Sequence, residues 1–433
     1  MESMNADRGV PQPQGVTPPA AWANRIPFTA TSAEKASLLV SYLMAYLYVS
    51  AFFTADTSPA LKVAEVVFSV LFCAAVEWVY RAEKAGWESW VWLGCAAVIL
   101  VSILAGRCRA VPGVAMLLYH AYVVYWLLAR SGRLMEGKSG RFLPLDVCHG
   151  FFAFPLSHLF LRMQVLFYRE EKGGEKKKTV WPAVGAVALA AVLFYGAARL
   201  LGEADGAFHA LTKDLLDWIT LPKLPEYGTR LLLSLPVGAY LFGLVLGTAR
   251  EKPQTLRERA GRITAGAEKL RRVPPAVWNM LLGAFCLLYL LFFVIQGSYL
   301  FGAFTRTLPE SFTVSFYARR GFFELCWVMA LNFLLLGAVT VSSRTPAGQS
   351  KSTKIMCTAL LGESFLLAVT AFSKLALYIS CFGFTPLRLE SSWLVCVLAA
   401  GCAAAMVWLW SGKKTARVWI LFSGVTLALL HLY

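Results

Sequence analysis

The chain has 433 residues, of which 58% are hydrophobic and 15% charged, against roughly 45–50% and about 25% in soluble domains. With a mean hydropathy of +0.59, this composition excludes an ordinary soluble domain and matches a membrane protein. The excess of 41 Lys and Arg over 25 Asp and Glu would suggest nucleic acid in a soluble chain, but here the basic residues sit in short loops between apolar segments. That arrangement is an orientation signal, and no nucleic-acid partner is expected.

The first 35 or so residues are polar, rich in Pro, Gly, Ala and Thr, and end at Thr31-Ser32-Ala33-Glu34-Lys35. They read as a disordered cytoplasmic tail, 1–35, without the pattern of a cleavable signal. After it the sequence is searched for runs of roughly 17–25 apolar residues, the length needed to cross about 30 Å of hydrocarbon. The runs are Ala36 to Ala55, Pro59 to Tyr80, Ser89 to Ala105, Val111 to Ala129, Val180 to Leu201, Leu231 to Thr248, Ala276 to Phe304, Gly321 to Ser342, Ile355 to Tyr378, Leu389 to Trp410 and Val418 to Tyr433. The expected fold is therefore an all-α polytopic transmembrane bundle of about eleven spans. It divides into a four-span unit at 36–129, a basic interfacial segment at 130–179 and a seven-span unit at 180–433.

Lys and Arg are retained on the cytoplasmic side. With the amino terminus inside, most of the 41 basic residues fall in the tail and in the loops after spans two, four, six, eight and ten, while the loop from Gly202 to Arg230 is acidic. The expected topology is amino terminus in and carboxyl terminus out. Three connecting segments read as more than loops. Phe142 to Tyr168 is apolar but broken by Pro144, Asp146, His149, Pro155, His158 and Arg162, as expected of an interfacial or re-entrant segment or of two further crossings. Phe208, Leu211, Leu215 and Ile219 recur at helical spacing, suggesting a helix on the outer surface. Leu256, Ile263, Ala267 and Leu270 do so among Arg257, Arg259, Arg262, Lys269, Arg271 and Arg272, suggesting a basic helix against anionic headgroups.

Hydrocarbon penalises polar side chains, so those inside spans are the default functional candidates. Lys62, Glu65 and Glu77 lie near the ends of span two, within snorkelling reach of the interface. His120, at the middle of span four, is expected to hydrogen-bond a neighbouring helix, with a ligand role as the alternative. Glu363 and Lys374 in span nine are eleven residues apart, on one face but roughly 16 Å apart along the axis. They cannot pair with each other, so each needs a partner on another helix or a polar cavity. Asn332 in span eight and Gln296 in span seven offer hydrogen bonds across helices, which is either packing or the wall of such a cavity.

The outer rim carries the densest polar chemistry: Tyr299, Arg306, Glu310, Arg319, Arg320 and Glu324, then Arg388 leading into span ten. Arg320 and Glu324 are four apart, so an intrahelical ion pair is one explanation. Guanidinium groups beside an apolar bundle also suit phosphate or carboxylate through paired hydrogen bonds. The candidate substrate-binding set is thus Gln296, Tyr299, Arg319, Arg320, Glu324, Asn332, Glu363, Lys374 and Arg388, with membrane lipids, including anionic ones, as partners.

The runs Phe292-Phe293-Val294-Ile295-Gln296-Gly297-Ser298-Tyr299-Leu300-Phe301, Tyr317-Ala318-Arg319-Arg320-Gly321-Phe322-Phe323-Glu324-Leu325 and Gly383-Phe384-Thr385-Pro386-Leu387-Arg388-Leu389, with Asp205 and Phe208 upstream, resemble a bacterial family of integral membrane proteins with a domain of unknown function. The resemblance covers roughly Leu143 to the end. Where that family often has Tyr-Asp-Ala-Tyr, this chain has Tyr378-Ile379-Ser380-Cys381-Phe382. The resemblance implies a polytopic protein of the bacterial cytoplasmic membrane and brings no activity with it.

No His-Glu-x-x-His or Gly-x-Ser-x-Gly occurs. Seven of the ten cysteines (Cys73, Cys95, Cys286, Cys326, Cys357, Cys396 and Cys402) lie in apolar segments and no Cys-x-x-Cys occurs, so they read as packing residues rather than disulfide or zinc ligands. His149 and His158, nine apart, miss a shared helical face. No cofactor, metal or catalytic residue is expected, and an enzyme is the less favoured class. Transport or binding of an anionic small molecule or lipid at the outer side is the leading expectation. The alternatives are a non-catalytic signalling or assembly subunit with a membrane or cytoplasmic protein partner, and an intramembrane enzyme on a lipid-linked substrate.

Overall fold

The computed structural model describes residues 29–53, 59–106, 112–168, 224–305 and 314–432, with the side chains of 59, 112, 224–226, 296–305 and 314–321 outside that description. The expected span Val180 to Leu201, the surface helix Phe208 to Ile219, the acidic loop before Leu224, Arg306 and Glu310 also lie outside it, as does the tail before residue 29. Regular structure among the described residues is helical, as it must be where no water satisfies backbone groups. Among the described residues, nine helical segments are long and apolar enough to cross a membrane.

The long helices are α1 (Ser32–Phe52), α2 (Pro59–Val79), α3 (Trp87–Leu104) and α4 (Pro112–Arg130). The chain continues as a broken segment of α5 (Leu143–Cys148), a π turn (His149–Ala153), α6 (Phe154–Ser157) and α7 (Leu161–Phe167). Then come α8 (Leu224–Phe242), a second π turn (Gly243–Gly247), α9 (Thr248–Arg250) and α10 (Pro253–Lys269). The carboxyl-terminal set is α11 (Pro275–Thr305), α12 (Val314–Ser342), α13 (Lys351–Phe382), α14 (Pro386–Ser411) and α15 (Ala416–Leu430). Each expected span other than Val180 to Leu201 coincides with one of these helices. α2 carries Lys62, Glu65 and Glu77, and α15 has only 15 residues; neither is among the nine segments long and apolar enough to cross.

Termini follow local rules. Thr31 caps α1 in a reciprocal box with Glu34: the Glu34 amide donates to Thr31 Oγ1 at 3.2 Å, and the Thr31 amide to Glu34 Oε2 at 2.8 Å. Gly383 at φ 79° and Gly412 at φ 66° end α13 and α14 in conformations that glycine adopts without strain. Pro386 opens α14 within its first turn, where no amide is needed.

One end of the bundle, called here the basic end, is tied by ion pairs between elements distant in sequence. Arg130 at the end of α4 grips Glu77 of α2, with Nη2 2.8 Å from Oε2, and donates to the Tyr80 and Glu83 carbonyls at 3.1 and 3.0 Å. Arg133 pairs with Glu83 and donates to the Glu251 carbonyl at 3.1 Å. Arg250 reaches back to Glu34. Arg417 of α15 meets Glu88 of α3 at 2.9 Å. Glu88 and Ser102 on α3 face Arg417 and the His431 carbonyl on α15, so these two helices run parallel and in register.

The segment Leu143–Phe167 is apolar and long enough to cross, yet its geometry is re-entrant. Asp146 Oδ1 accepts from the Met135 amide at 2.8 Å at the basic end. The segment then climbs until the Phe151 ring lies 5.3 Å from His120. It turns against α8 and comes back down α1, where Lys35 sits 5.1 Å over the Tyr168 ring. Close approach to α8 needs glycine: a Cβ on Gly243 would lie 2.8 Å from the Pro155 carbonyl oxygen, and one on Gly247 2.6 Å from His158 Cβ.

The larger core holds α1 to α4, α8 and the inner face of α15, with Phe52, Phe68, Trp92, Tyr122 and Trp126 at its centre. A second, around Leu282, Val339, Leu360 and Cys402, and a third, around Phe322, Met329 and Leu367, pack α11 to α14. α10 is the expected basic helix, with Leu256 and Ala260 buried and Arg257, Arg262 and Lys269 exposed. His120 accepts or donates a 3.1 Å bond with Tyr240, as expected of a lone buried histidine. The nine described cysteines are free.

Arg130 is 5% exposed and has several partners, so its removal strands Glu77. Arg130→Ala is expected to lose roughly 3 kcal/mol of stability, read by thermal unfolding in detergent, with Glu77→Gln in the same chain restoring part of the loss. An unshifted melting curve for the single variant would show that the belt is not a structural tie.

Candidate functional site

The candidate site lies along α13, whose 32 residues, Lys351–Phe382, lie between Ser350, which caps the helix by accepting from the Thr353 amide, and Gly383. Within its apolar middle a stripe of Glu363, Ser364 and Lys374 faces α11 and α12. Near the middle, Asn332 of α12 is 1% exposed and bonded at both ends of its side-chain amide: it accepts from Tyr289 Oη at 2.8 Å and donates to Ser364 Oγ at 2.8 Å. Ser364 in turn donates to the Leu360 carbonyl at 2.8 Å. Three helices are thereby pinned by one closed chain of bonds.

Glu363, beside Ser364, faces α11 instead. The Cys286 thiol stands within hydrogen-bonding reach of its carboxyl group. Glu363 Oε2 is buried and has no hydrogen-bond partner among the described residues. A carboxyl group held in hydrocarbon with one open oxygen is costly, and such placements mark functional sites in membrane proteins more often than accidents of packing.

Three turns further along, Lys374 is 1% exposed. The charge that acts on it is Glu324 of α12. Two candidates from different stretches of sequence thus lie within electrostatic range of each other across α12 and α13. Leu375 and Ala371 pack the neighbouring turns against Phe322, Leu325 and Met329.

Arg388 marks the far end of the stripe. Its Nη1 donates to the Phe382 carbonyl at 2.7 Å and also to that of Gly383, and its guanidinium lies 4.3 Å from the centroid of Tyr378. The side chain thus closes the carboxyl end of α13 by taking carbonyls that the helix leaves open. Gln296, Tyr299, Arg319 and Arg320 lie on the α11 and α12 backbone where side chains are outside the description. The structure therefore places Glu324 within electrostatic range of Lys374 and bonds Asn332 to the turn that bears Glu363. It keeps Glu363 and Lys374 at separate depths, as their spacing requires.

Sequence reasoning missed Tyr289, Ser364 and Cys286, the partners that make Asn332 and Glu363 intelligible. A signal existed for Tyr289, two turns before Gln296 on the same helix. It also underrated Arg162, named only as a break in an apolar run. Arg162 is 3% exposed, sits 3.3 Å from the centroid of Tyr42, and has Nε and Nη2 without hydrogen-bond partners among the described residues. A Cβ on Gly238 would lie 2.2 Å from its Nη1, so α8 makes room for the guanidinium.

The sequence matches the family profile of DUF4153, a domain of unknown function, over residues 43–433. The chain belongs to the DUF4153 family. No curated protein and no solved structure matches it. Within the DUF4153 region the described residues form a membrane-type helical protein, and the stripe on α13, like Arg162, combines buried charge with a break in hydrogen bonding.

Asn332→Ala removes two hydrogen bonds and leaves two hydroxyls to repair. At roughly 0.6 kcal/mol for an average interhelical bond in a membrane, a loss of about 1–2 kcal/mol is expected. Tyr289→Phe and Ser364→Ala should each cost about half that. Equal melting temperatures for all three variants in detergent would show that the network is not a helix tie.

Proposed function

We propose that this DUF4153 protein is a multi-pass protein of the bacterial cytoplasmic membrane, with eleven crossings, the amino terminus inside and the carboxyl terminus outside. Its function on this reading is to bind or move an anionic small molecule or lipid at the outer side of its carboxyl-terminal helices. The orientation draws support from the basic end, where Arg130, Arg133, Arg250 and Arg417 gather. Eleven crossings combine the ten long described helices with Val180 to Leu201, and Tyr168 and Leu224 stand at opposite ends of the bundle, as an odd number of crossings between them requires.

The observation that carries the functional reading is Lys374: an ammonium group 1% exposed, between apolar helices, near the end of the bundle remote from the basic end and facing Glu324. A cation held there raises the local affinity for phosphate or carboxylate, and the motif that supplies Glu324 also supplies Arg319 and Arg320 beside it. The assembly reading has its own support in the closed Tyr289–Asn332–Ser364 chain, which ties helices and leaves nothing for a ligand.

Two measurements test this. In a chain whose other cysteines are replaced, Cys381 should react with a membrane-impermeant maleimide in intact cells, and Lys413→Cys on the Cys381→Ser background only after permeabilisation. The opposite pattern reverses the topology. In nanodiscs or detergent, binding of phosphatidylglycerol or of short-chain phosphate and carboxylate esters should weaken at least tenfold in Lys374→Gln while the protein stays monodisperse. Unchanged binding by folded Lys374→Gln would remove the anion-binding reading and leave assembly.

A further inference from the structure

A cavity of about 280 Å³ lies between α3, α4, the re-entrant segment, α14 and α15. Trp92, Tyr122, Phe151, Trp393, Trp419 and Leu427 form its walls. Polar groups on these walls are turned to other partners. Tyr122 Oη donates to the Gly424 carbonyl at 2.7 Å, Tyr125 Oη to Ser139 at 2.9 Å, Trp393 Nε1 to Thr426 at 2.9 Å and Trp419 Nε1 to the Val397 carbonyl at 2.9 Å. Ser423 Oγ donates to the Trp419 carbonyl at 2.7 Å. The space would admit several waters at about 30 Å³ each, but a water needs two to four polar partners, and none is offered.

A void that water does not enter, and that stays empty, forfeits the contacts of every wall atom. In a bilayer the apolar material at hand is a hydrocarbon chain. The end of the cavity nearest the basic end is formed by Trp92, Tyr125, Leu143 and Trp419. Immediately beyond it stands Arg417, one turn before Ile420 on the wall-forming face of α15. Its Nη2 holds Glu88, its guanidinium lies 5.0 Å from the centroid of Trp87, and its Nε has no hydrogen-bond partner among the described residues. Lys413 and Lys414 are exposed on the turn just before it. The Glu88 carboxylate is already shared by Arg417 and the Ser139 amide, so the mouth is left with two solvent-facing cations.

We propose that this slot holds one acyl chain of an anionic phospholipid from the leaflet at the basic end, with the phosphate met by Lys413, Lys414 and Arg417. Hydrocarbon in the slot and phosphate at the mouth satisfy the two halves of one amphiphile, which neither a detergent-like neutral ligand nor a free phosphate would do. The site lies at the opposite end from Lys374 and is independent of the function proposed above. It also gives the re-entrant segment a role, since Leu143, Val147 and Phe151 close one side of the slot.

The test uses full-length protein equilibrated with mixed phosphatidylglycerol and phosphatidylcholine vesicles, extracted in mild detergent and weighed by native mass spectrometry. Wild type should retain one phospholipid, enriched in phosphatidylglycerol. Ala121→Phe, which fills the slot, should reduce retention of both lipids at least tenfold. Lys413→Gln with Lys414→Gln should keep retention and lose the preference for phosphatidylglycerol. A folded Ala121→Phe chain that retains lipid overturns the slot, and an unchanged preference in the lysine variant overturns the mouth. A phosphatidylglycerol with a photoreactive group at the end of its acyl chain settles the slot on wild-type protein. Crosslinks to Leu118, Phe151 or Trp393 are expected, and crosslinks confined to outward-facing residues such as Trp327 and Trp410 overturn the proposal.

Discussion

Pairing each acidic side chain at a helix end with an arginine from a distant element is the constraint on which the amino-terminal half depends. Glu34, Glu77, Glu83 and Glu88 belong to α1, α2, the turn after α2 and α3; their partners Arg250, Arg130, Arg133 and Arg417 belong to α9, α4, the turn after α4 and α15. Apolar helices in lipid gain little from burying one another, because the surrounding tails are as apolar as the helices. Register along the bundle axis therefore has to come from polar contacts, and the headgroup region is where such contacts cost least. Fixing α3 against α15 at Glu88 also fixes Ser102 against His431 at the other end. α15 packs on α3 and on α14, so the same pair joins the two groups of helices.

The re-entrant segment shows how a chain can be apolar enough to cross and still turn back. It carries Pro144 and Pro155, a π turn and the charged Arg162, and each weakens a straight helix. Two glycines and a matching π turn on α8 let the backbone of the bend approach closely enough to be packed by protein rather than by lipid. Arg162 is stabilised there by the Tyr42 ring and a 3.4 Å bond to the Leu235 carbonyl. Irregular backbone at membrane depth survives only with such enclosure.

Helix positions were readable because hydrophobic length is a one-dimensional property: the expected and observed ends of α1, α3, α4, α13 and α14 differ by a few residues at most sites. The re-entrant character of Leu143–Phe167 was readable as one of three alternatives, since prolines and charges mark a break without saying where the chain goes next. Partnerships were mostly hidden. Arg130, Arg133, Arg250 and Arg417 read as orientation charges in loops, which describes their location and overlooks that each holds a specific carboxylate. Glu363 and Lys374 stood out because a charge in an apolar run is conspicuous, whereas Tyr289 and Ser364 are ordinary residues of a membrane helix until the third dimension brings them to Asn332.

Two kinds of polar contact, filled and open, thus occur in the molecule. At the basic end, arginines have matched acceptors and act as ties. Along α13 both kinds occur side by side: Asn332 bonds through its oxygen and its nitrogen, Glu363 beside Ser364 has one oxygen without a partner among the described residues, and Lys374 is a buried cation on which Glu324 acts. Groups with filled hydrogen bonds cannot exchange partners without breaking the fold, while an open carboxylate oxygen can accept one. Arg388 belongs to the first kind, because its guanidinium is spent on the end of α13. An open contact held beside filled ones on the same helix, rather than the number of polar residues, is what makes α13 a place where a new partner would change the energetics of the bundle.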